Sequence, residues 1–278
     1  MTITTRDQLI NALANNSSNI IINKASIANT AAGQSHSLWR ATGQPGQGSI
    51  PTNVTNCNQS TVGGITFTQQ TAPAKSYLAY LGVSNSNGAT TMEVHDRLRH
   101  MGGLSGTLTT AQTVGMDFNG VTSDNMVERI GAANYSNIIW WLEWYTDTGA
   151  TAVTATVSVT YNDGTTGDLI GVSLAATRRA SFMQPLNGLI PAADSGKFIR
   201  AVNTVRLSAS TGTAGNFGVT ATRLLGTLFM PVANAVYKDD WASLPINTIP
   251  NDACPFIIVR VSGTSTGNLY GFGKIAHG

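Results

Sequence analysis

Charge is what this sequence has least of. Only 11% of its 278 residues are Asp, Glu, Lys or Arg, where soluble proteins average roughly 25%, so its polar surface must come from Thr, Ser, Asn, Gln and the 29 glycines. The 16 basic and 14 acidic residues leave a net charge of +2 with no Lys/Arg block. That excludes the clustered positive charge that nucleic acid requires of a partner. Cysteine is nearly absent. Cys57 and Cys254 cannot build a disulfide framework, which leaves either one bridge or, as we expect, two buried free thiols. Apolar runs are too short to span a bilayer, so no membrane segment is expected. The start Met1–Asp7 lacks the basic-then-apolar pattern of a secretory leader, and we expect synthesis in a reducing cytoplasm. No nucleophile elbow, Walker loop or dinucleotide fingerprint occurs. We therefore expect no enzyme, no cofactor and no metal.

A surface of short neutral side chains loses little rotamer entropy when it is covered, which suits a protein whose surface becomes interface. A secreted β protein would share this composition. The clearest structural signal lies in residues 138–174. In Val153–Tyr161, Val153, Ala155, Val157, Val159 and Tyr161 alternate with Thr and Ser, the pattern of a half-buried strand. Asn162-Asp163-Gly164 then supplies a tight turn, so Leu169, Ile170, Val172 and Leu174 should return antiparallel beside it.

Short strands at regular spacing are expected from Val62 onward: 62–68, 77–83, 90–98, 106–114, 138–146, 153–161, 168–174, 182–186, 198–209, 218–231, 256–261 and 269–275. No strand–helix–strand alternation appears, which disfavours an α/β fold. The reading is an all-β, jelly-roll-like antiparallel β-sandwich forming one body over residues 61–278. Residues 232–255, with Pro245, Pro250 and Pro255, should wrap its surface before a last hairpin closes the sheet.

Residues 1–60 read differently. Thr5 and Gln8 form a capping box for a helix over 5–14, stopped by Asn15-Asn16, with Leu9, Ile10 and Leu13 on one face. So short a helix must dock on something. Beyond it, Ile20 to Ile22 and Leu38-Trp39 are brief apolar pieces in a polar stretch punctuated by Gly43 to Pro51, the composition of an extended N-terminal arm. Leu9, Ile10, Leu13, Ile20, Ile22 and Trp39 are its candidate contact residues.

Three candidates for chemistry were weighed. His95-Asp96 with His100 suggests a metal, but neighbours on a strand face opposite ways, and Asp96, Arg97 and Arg99 read better as a strand-end charge cluster. Glu143 shares a strand face with Trp141 and Tyr145 and has no second carboxylate beside it for glycoside hydrolysis. Those aromatics suit sugar stacking, yet Trp140, Leu142 and Trp144 crowd the opposite face, so core or interface is the better reading.

Four segments resemble structural proteins encoded in the head-gene regions of tailed bacteriophages: Ser37–Gly46 (SLWRATGQPG), Asp96–Gly106 (DRLRHMGGLSG), Leu142–Thr146 (LEWYT) and Leu207–Val219 (LSASTGTAGNFGV). The resemblance implies a virion component. The sequence contains neither the long spine helix of a tailed-phage shell protein nor the basic arm of an RNA-packaging capsid. The expectation is a capsid decoration or minor capsid protein on the capsid surface, a homotrimer contacting the major capsid protein and copies of itself, with the arm as cement. On that reading, deleting residues 1–50 should leave the sandwich folded. The alternative is a tail or fibre module binding host-surface glycans through Trp141 and Tyr145.

Overall fold

Val153–Tyr161 forms a strand over the span its alternation predicts, with its Val and Tyr side chains turned inward. The structure, a computed structural model, describes residues 2–243 and 248–278. In chain order it comprises α1 (Arg6–Asn15), β1 (Ser17–Lys24), β2 (Ser35–Ser37), β3 (Gly43–Gln44), β4 (Thr55–Asn56), β5 (Ser76–Asn85), β6 (Thr90–Leu104) and β7 (Gln112–Asp117). Then follow α2 (Asp124–Ile130), β8 (Ile139–Thr146), β9 (Val153–Tyr161), β10 (Thr166–Leu174), β11 (Phe182–Pro185), β12 (Ile199–Leu207) and β13 (Asn216–Met230). The last strands are β14 (Tyr237–Asp240), β15 (Thr248–Ile249), β16 (Pro255–Arg260) and β17 (Leu269–His277). With 45% strand against 8% helix and antiparallel sheets, the protein is an all-β antiparallel sandwich.

The chain folds as two units and not as an arm on one body. Unit 1 takes Met1–Ser49, Cys57–Arg97 and Leu224–Gly278, and unit 2 takes Ile50–Asn56 and Leu98–Arg223. No polar linker marks the divisions at 97/98 and 223/224, because both fall inside long strands, β6 and β13.

In unit 2 the sheet β10-β9-β12-β7 lies against β11, β8 and the first half of β13. Between them pack Trp140, Leu142 and Trp144 from β8, Phe217 and Val219 from β13, and the inward row of β9. The predicted hairpin is present, with Gly164 at φ +86° taking the left-handed turn position. One departure is Ile170. β10 carries an extra residue between Leu169 and Val172, with Gly171 at φ +71°, and this bulge turns Ile170 outward. Two further expectations change here. Strand β7 begins only at Gln112, and α2 was not anticipated.

In unit 1 the sheet runs β14-β5-β17-β1-β3, and β15 also pairs β5. It is covered on its inner side by β2, β16 and the first part of β6. Ile20, Ile22, Leu78, Leu81, Val83, Ile257 and Ile275 fill this aliphatic core. The expected arm is therefore largely internal. β1 pairs β17 from Ser17↔Ala276 to Lys24↔Leu269, a partner far away in sequence that local pattern could not reveal. Residues 62–68 form no strand, although Ile65 and Phe67 reach the core. The closing hairpin is absent as well, since β16 pairs β2 and β6 while β17 pairs β5 and β1. Within 232–255, β14 and β15 extend the sheet, and Pro245 lies outside the described residues.

Helix α1 starts with the predicted reciprocal cap: Gln8 N–H donates to Thr5 Oγ1 at 3.2 Å and Thr5 N–H to Gln8 Oε1 at 3.1 Å. It docks through Leu9 and Ala12 on Ala79 and Ala276, with Leu13 half-buried beside them. Small Ala side chains on both partners allow close approach. This orientation leaves Ile10, expected on the docking face, half exposed.

Candidate interaction surface

The residues singled out from sequence mostly serve the interior. On β8, Trp141 is buried and its indole N–H donates to Thr222 Oγ1 at 2.9 Å. Tyr145 is buried too. Its hydroxyl donates to Glu143 Oε2 at 3.2 Å, and the Thr220 hydroxyl donates to the same oxygen. Both faces of β8 are thus covered inside unit 2, and Glu143 is a buried, hydrogen-bonded carboxylate remote from any solvent cleft. The core reading of this strand is the one the burial shows, and the alternative of a sugar platform on Trp141 and Tyr145 is corrected accordingly.

Trp39, the arm's candidate anchor, packs inside unit 1. Its indole N–H donates to Ser49 O at 2.9 Å, Phe256 meets it edge-on at 6.1 Å, and the Arg97 guanidinium stacks 4.4 Å from its ring centroid and 4.9 Å from that of Phe256. Gly48 and Gly63 pass so close that a Cβ there would lie 2.1 and 2.8 Å from the indole, so only glycine fits over this ring. The proposed charge cluster at a strand end is likewise internal. Asp96 and Arg97 are fully buried, and Asp96 Oδ1 accepts the Cys254 N–H at 2.8 Å. Arg99 belongs to unit 2, where it bonds Asn56 Oδ1 at 2.6 Å and covers Phe118. His95 Nε2 lies 3.0 Å from Glu93 Oε2. Among the described residues no group of three or more His, Cys, Asp or Glu is arranged to hold a metal ion.

What unit 1 exposes is a strip across the outer face of its sheet. Inward positions of β1 are Ile20, Ile22 and Lys24, which turns Ile21 outward at 68% exposure. Ile21 stands opposite Phe272 of β17, and Phe272 stands opposite Gly82 of β5. The Tyr80 ring folds over Gly82, where a Cβ would lie 2.5 Å from its hydroxyl, and stacks on Phe272 with centroids 5.1 Å apart at 30°. Phe272 and Tyr270 are half exposed, and the flanking residues on β1 are the neutral amides Asn19 and Asn23.

Each end of the strip opens into a cavity. One, of about 420 Å³, lies beside α1 and is lined by Leu13, Tyr80, Trp241, Phe272, Lys238 and Lys274, with Asp240 at its rim. Lys274 Nζ also donates to Leu13 O at 3.1 Å, tying the helix to the sheet. The other, of about 380 Å³, lies between β1 and residues 59–66, with Ile21, Gln44, Pro45 and the exposed Val62 on its walls. Of the contact residues proposed from sequence, Ile20 and Ile22 bracket this strip but point into the core, and only Ile10 is substantially exposed. The signal that would have found the strip is present in the sequence: Ile20-Ile21-Ile22 is apolar at consecutive positions, which on a strand puts apolar groups on both faces.

The fold and surface together define an all-β sandwich protein with an uncovered aromatic and aliphatic sheet face. No protein-family model matches the sequence, and no curated protein matches it. Among solved structures the chain is similar to the VP2 subviral particle of infectious bursal disease virus, at 13% identity and a TM-score of 0.17, covering 94% of this chain and 79% of that one. It is also similar to the structure of the Gx strain of that virus, at 12% identity and a TM-score of 0.18, covering 100% and 85%. Backbones at such scores do not superpose as wholes, so the function is argued from this chain's own residues.

Proposed function

We propose that the protein is a structural component of a virus particle, a capsid decoration or minor capsid protein of a tailed bacteriophage head. The observation that carries this reading is the uncovered strip Ile21–Phe272–Tyr80 on a charge-poor sheet. Apolar area of this kind marks an interaction face. Covering it returns roughly 25 cal/mol per Å² of apolar surface, and the short neutral side chains around it lose little entropy on being covered. The four segments that resemble phage head-region proteins support the same reading. The occupant is a neighbouring protein subunit, either another copy within a homotrimer or the major capsid protein, and repetition over many copies turns a modest contact into a firm one. The cement contact expected of a free arm is placed here on the solvent face of β1, because Leu9, Ile20, Ile22 and Trp39 of that segment are buried in the chain's own interior.

Ile21→Asp combined with Phe272→Asp tests this. Binding to isolated heads should fall at least about tenfold, the scale of 1.4 kcal/mol, with the fold intact by circular dichroism. Undiminished binding would remove the strip from the mechanism. Immunogold labelling of intact particles locates the protein: label over the head agrees with the proposal, and label confined to the tail overturns it.

One observation favours the glycan reading. The cavity beside α1 has three aromatic side chains, Tyr80, Trp241 and Phe272, next to Lys238 and Asp240, a combination suited to stacking and hydrogen-bonding a sugar ring. A glycan array with a Trp241→Ala control decides it.

A further inference from the structure

The two cysteines, far apart in the chain, meet inside unit 1. Both are reduced and fully buried, and the Cys254 thiol is hydrogen-bonded to that of Cys57. Each sits on well-held backbone. Cys254 N–H donates to Asp96 Oδ1 at 2.8 Å, and its carbonyl accepts the Arg97 N–H at 2.9 Å. Cys57 opens the irregular segment 57–67, which is pinned by Gly64 N–H to Thr61 O at 3.1 Å and by Ile65 N–H to Pro255 O at 2.7 Å. The segment lies tightly over the pair, since a Cβ on Gly64 would come within 2.6 Å of Cys254 Sγ.

We propose that Cys57 and Cys254 are a disulfide-forming site, oxidised by a small-molecule disulfide when the protein passes from a reducing to an oxidising compartment. One cysteine, as thiolate, attacks a sulfur of the oxidant and releases one thiol. The second cysteine then displaces the other half as a second thiol. One S–S bond forms in the protein and one breaks in the oxidant, the protein gives up two electrons, and the two cysteine protons leave with the two thiol products. The cross-link would clip segment 57–67 to the start of β16, fixing the wall that carries Val62.

The surroundings set the rate. Contact with Cys57 and burial hold the Cys254 thiol well above its ordinary pKa, so little thiolate is present in the closed structure. Exchange therefore waits on brief opening of segment 57–67, and a bond once closed is shielded from reductant by the same burial. This inference is independent of the virion reading.

The test is to refold the full-length protein in a glutathione/glutathione-disulfide buffer and to map peptides under non-reducing conditions. The expected result is a Cys57–Cys254 cross-linked peptide, a protein mass lower by two hydrogens, and a melting temperature about 5 °C or more above that of the reduced wild type. Reduced wild type is the reference, so nothing depends on whether a Cys57→Ser variant folds. Two thiols still titratable after refolding, glutathione adducts without the cross-link, or a cross-linked form that melts lower than the reduced one would each overturn the proposal.

Discussion

Units 1 and 2 solve the same packing problem with opposite exteriors. In unit 2, β9 spends every inward position on Val, Ala or Tyr and places Thr or Ser on its other face, and the aromatic residues go inside: Trp144 stacks on Phe217 and tilts against Phe182, each at 5.4 Å, while Phe118 meets Trp140 at 5.7 Å. In unit 1 the main core is mostly aliphatic, with Trp39 and Phe256 buried as well, and the sheet keeps Ile21, Tyr270 and Phe272 on its outer face. A sheet with one wet face needs only alternation. Where alternation fails, as at Ile20-Ile21-Ile22, apolar residues end up on the outer face as well.

The largest effect that would break this comparison is removal of residues 1–24. β1 lies between β17 and β3, so the truncation should unfold unit 1 instead of leaving a sandwich lacking only its arm. Hydrogen exchange should show protection lost across β5 and β17 and kept across β9 and β12. Loss in neither would refute the internal placement of β1. Next in size, Trp144→Ala in unit 2 should cost about 3–5 kcal/mol and Leu81→Ala in unit 1 about 2–5 kcal/mol by denaturant titration, since both side chains are fully buried.

A pH experiment separates the units more finely. Lys24 is buried in unit 1 with Ala41 O at 3.0 Å as its nearest acceptor and, among the described residues, no carboxylate within ion-pair distance, and burial lowers its pKa from 10.5 to about 8. Between those values the unfolded chain holds the proton that the folded one has released. Stability should therefore rise with pH from about 8 toward 10.5. Lys24→Met should lack this rise, and an unchanged slope in that variant would place its origin elsewhere. Smallest of all, Phe272→Ser should shift stability by no more than about 0.5–1 kcal/mol, as expected for an outer-face side chain. A loss comparable to that of Trp144→Ala would show that Phe272 supports the fold and is not held in reserve for a partner.

The centre of unit 2 was legible in the sequence because the β9–β10 hairpin is local and β9 alternates cleanly. β8, bulky on both sides, was correctly read as covered on both, which is what Trp141–Thr222 and Tyr145–Glu143 accomplish. Unit 1 was legible in its capped helix and in the strands that became β5, β6, β16 and β17, but not in how they pair. Its central pairing, β1 with β17, joins residues near the two extremes of the sequence, and β1's polar surroundings imitate a flexible leader. Two of the crossings between the units were invisible for a related reason: Arg97-Leu98 and Arg223-Leu224 lie mid-strand, whereas the crossing at Ser49-Ile50 falls beside Pro51 in the punctuated segment. Ile170 escaped because a bulge, and not its hydrophobicity, decides which way it points.

The position of β17 also bears on timing. Every strand of unit 2 has been translated by residue 223, whereas the unit 1 sheet keeps a gap between β5 and β1 until Leu269–His277 fills it. Tyr270 and Phe272 arrive on that strand. The strip Ile21–Phe272–Tyr80 therefore cannot assemble until Leu269–His277 has been made and has paired with both β1 and β5.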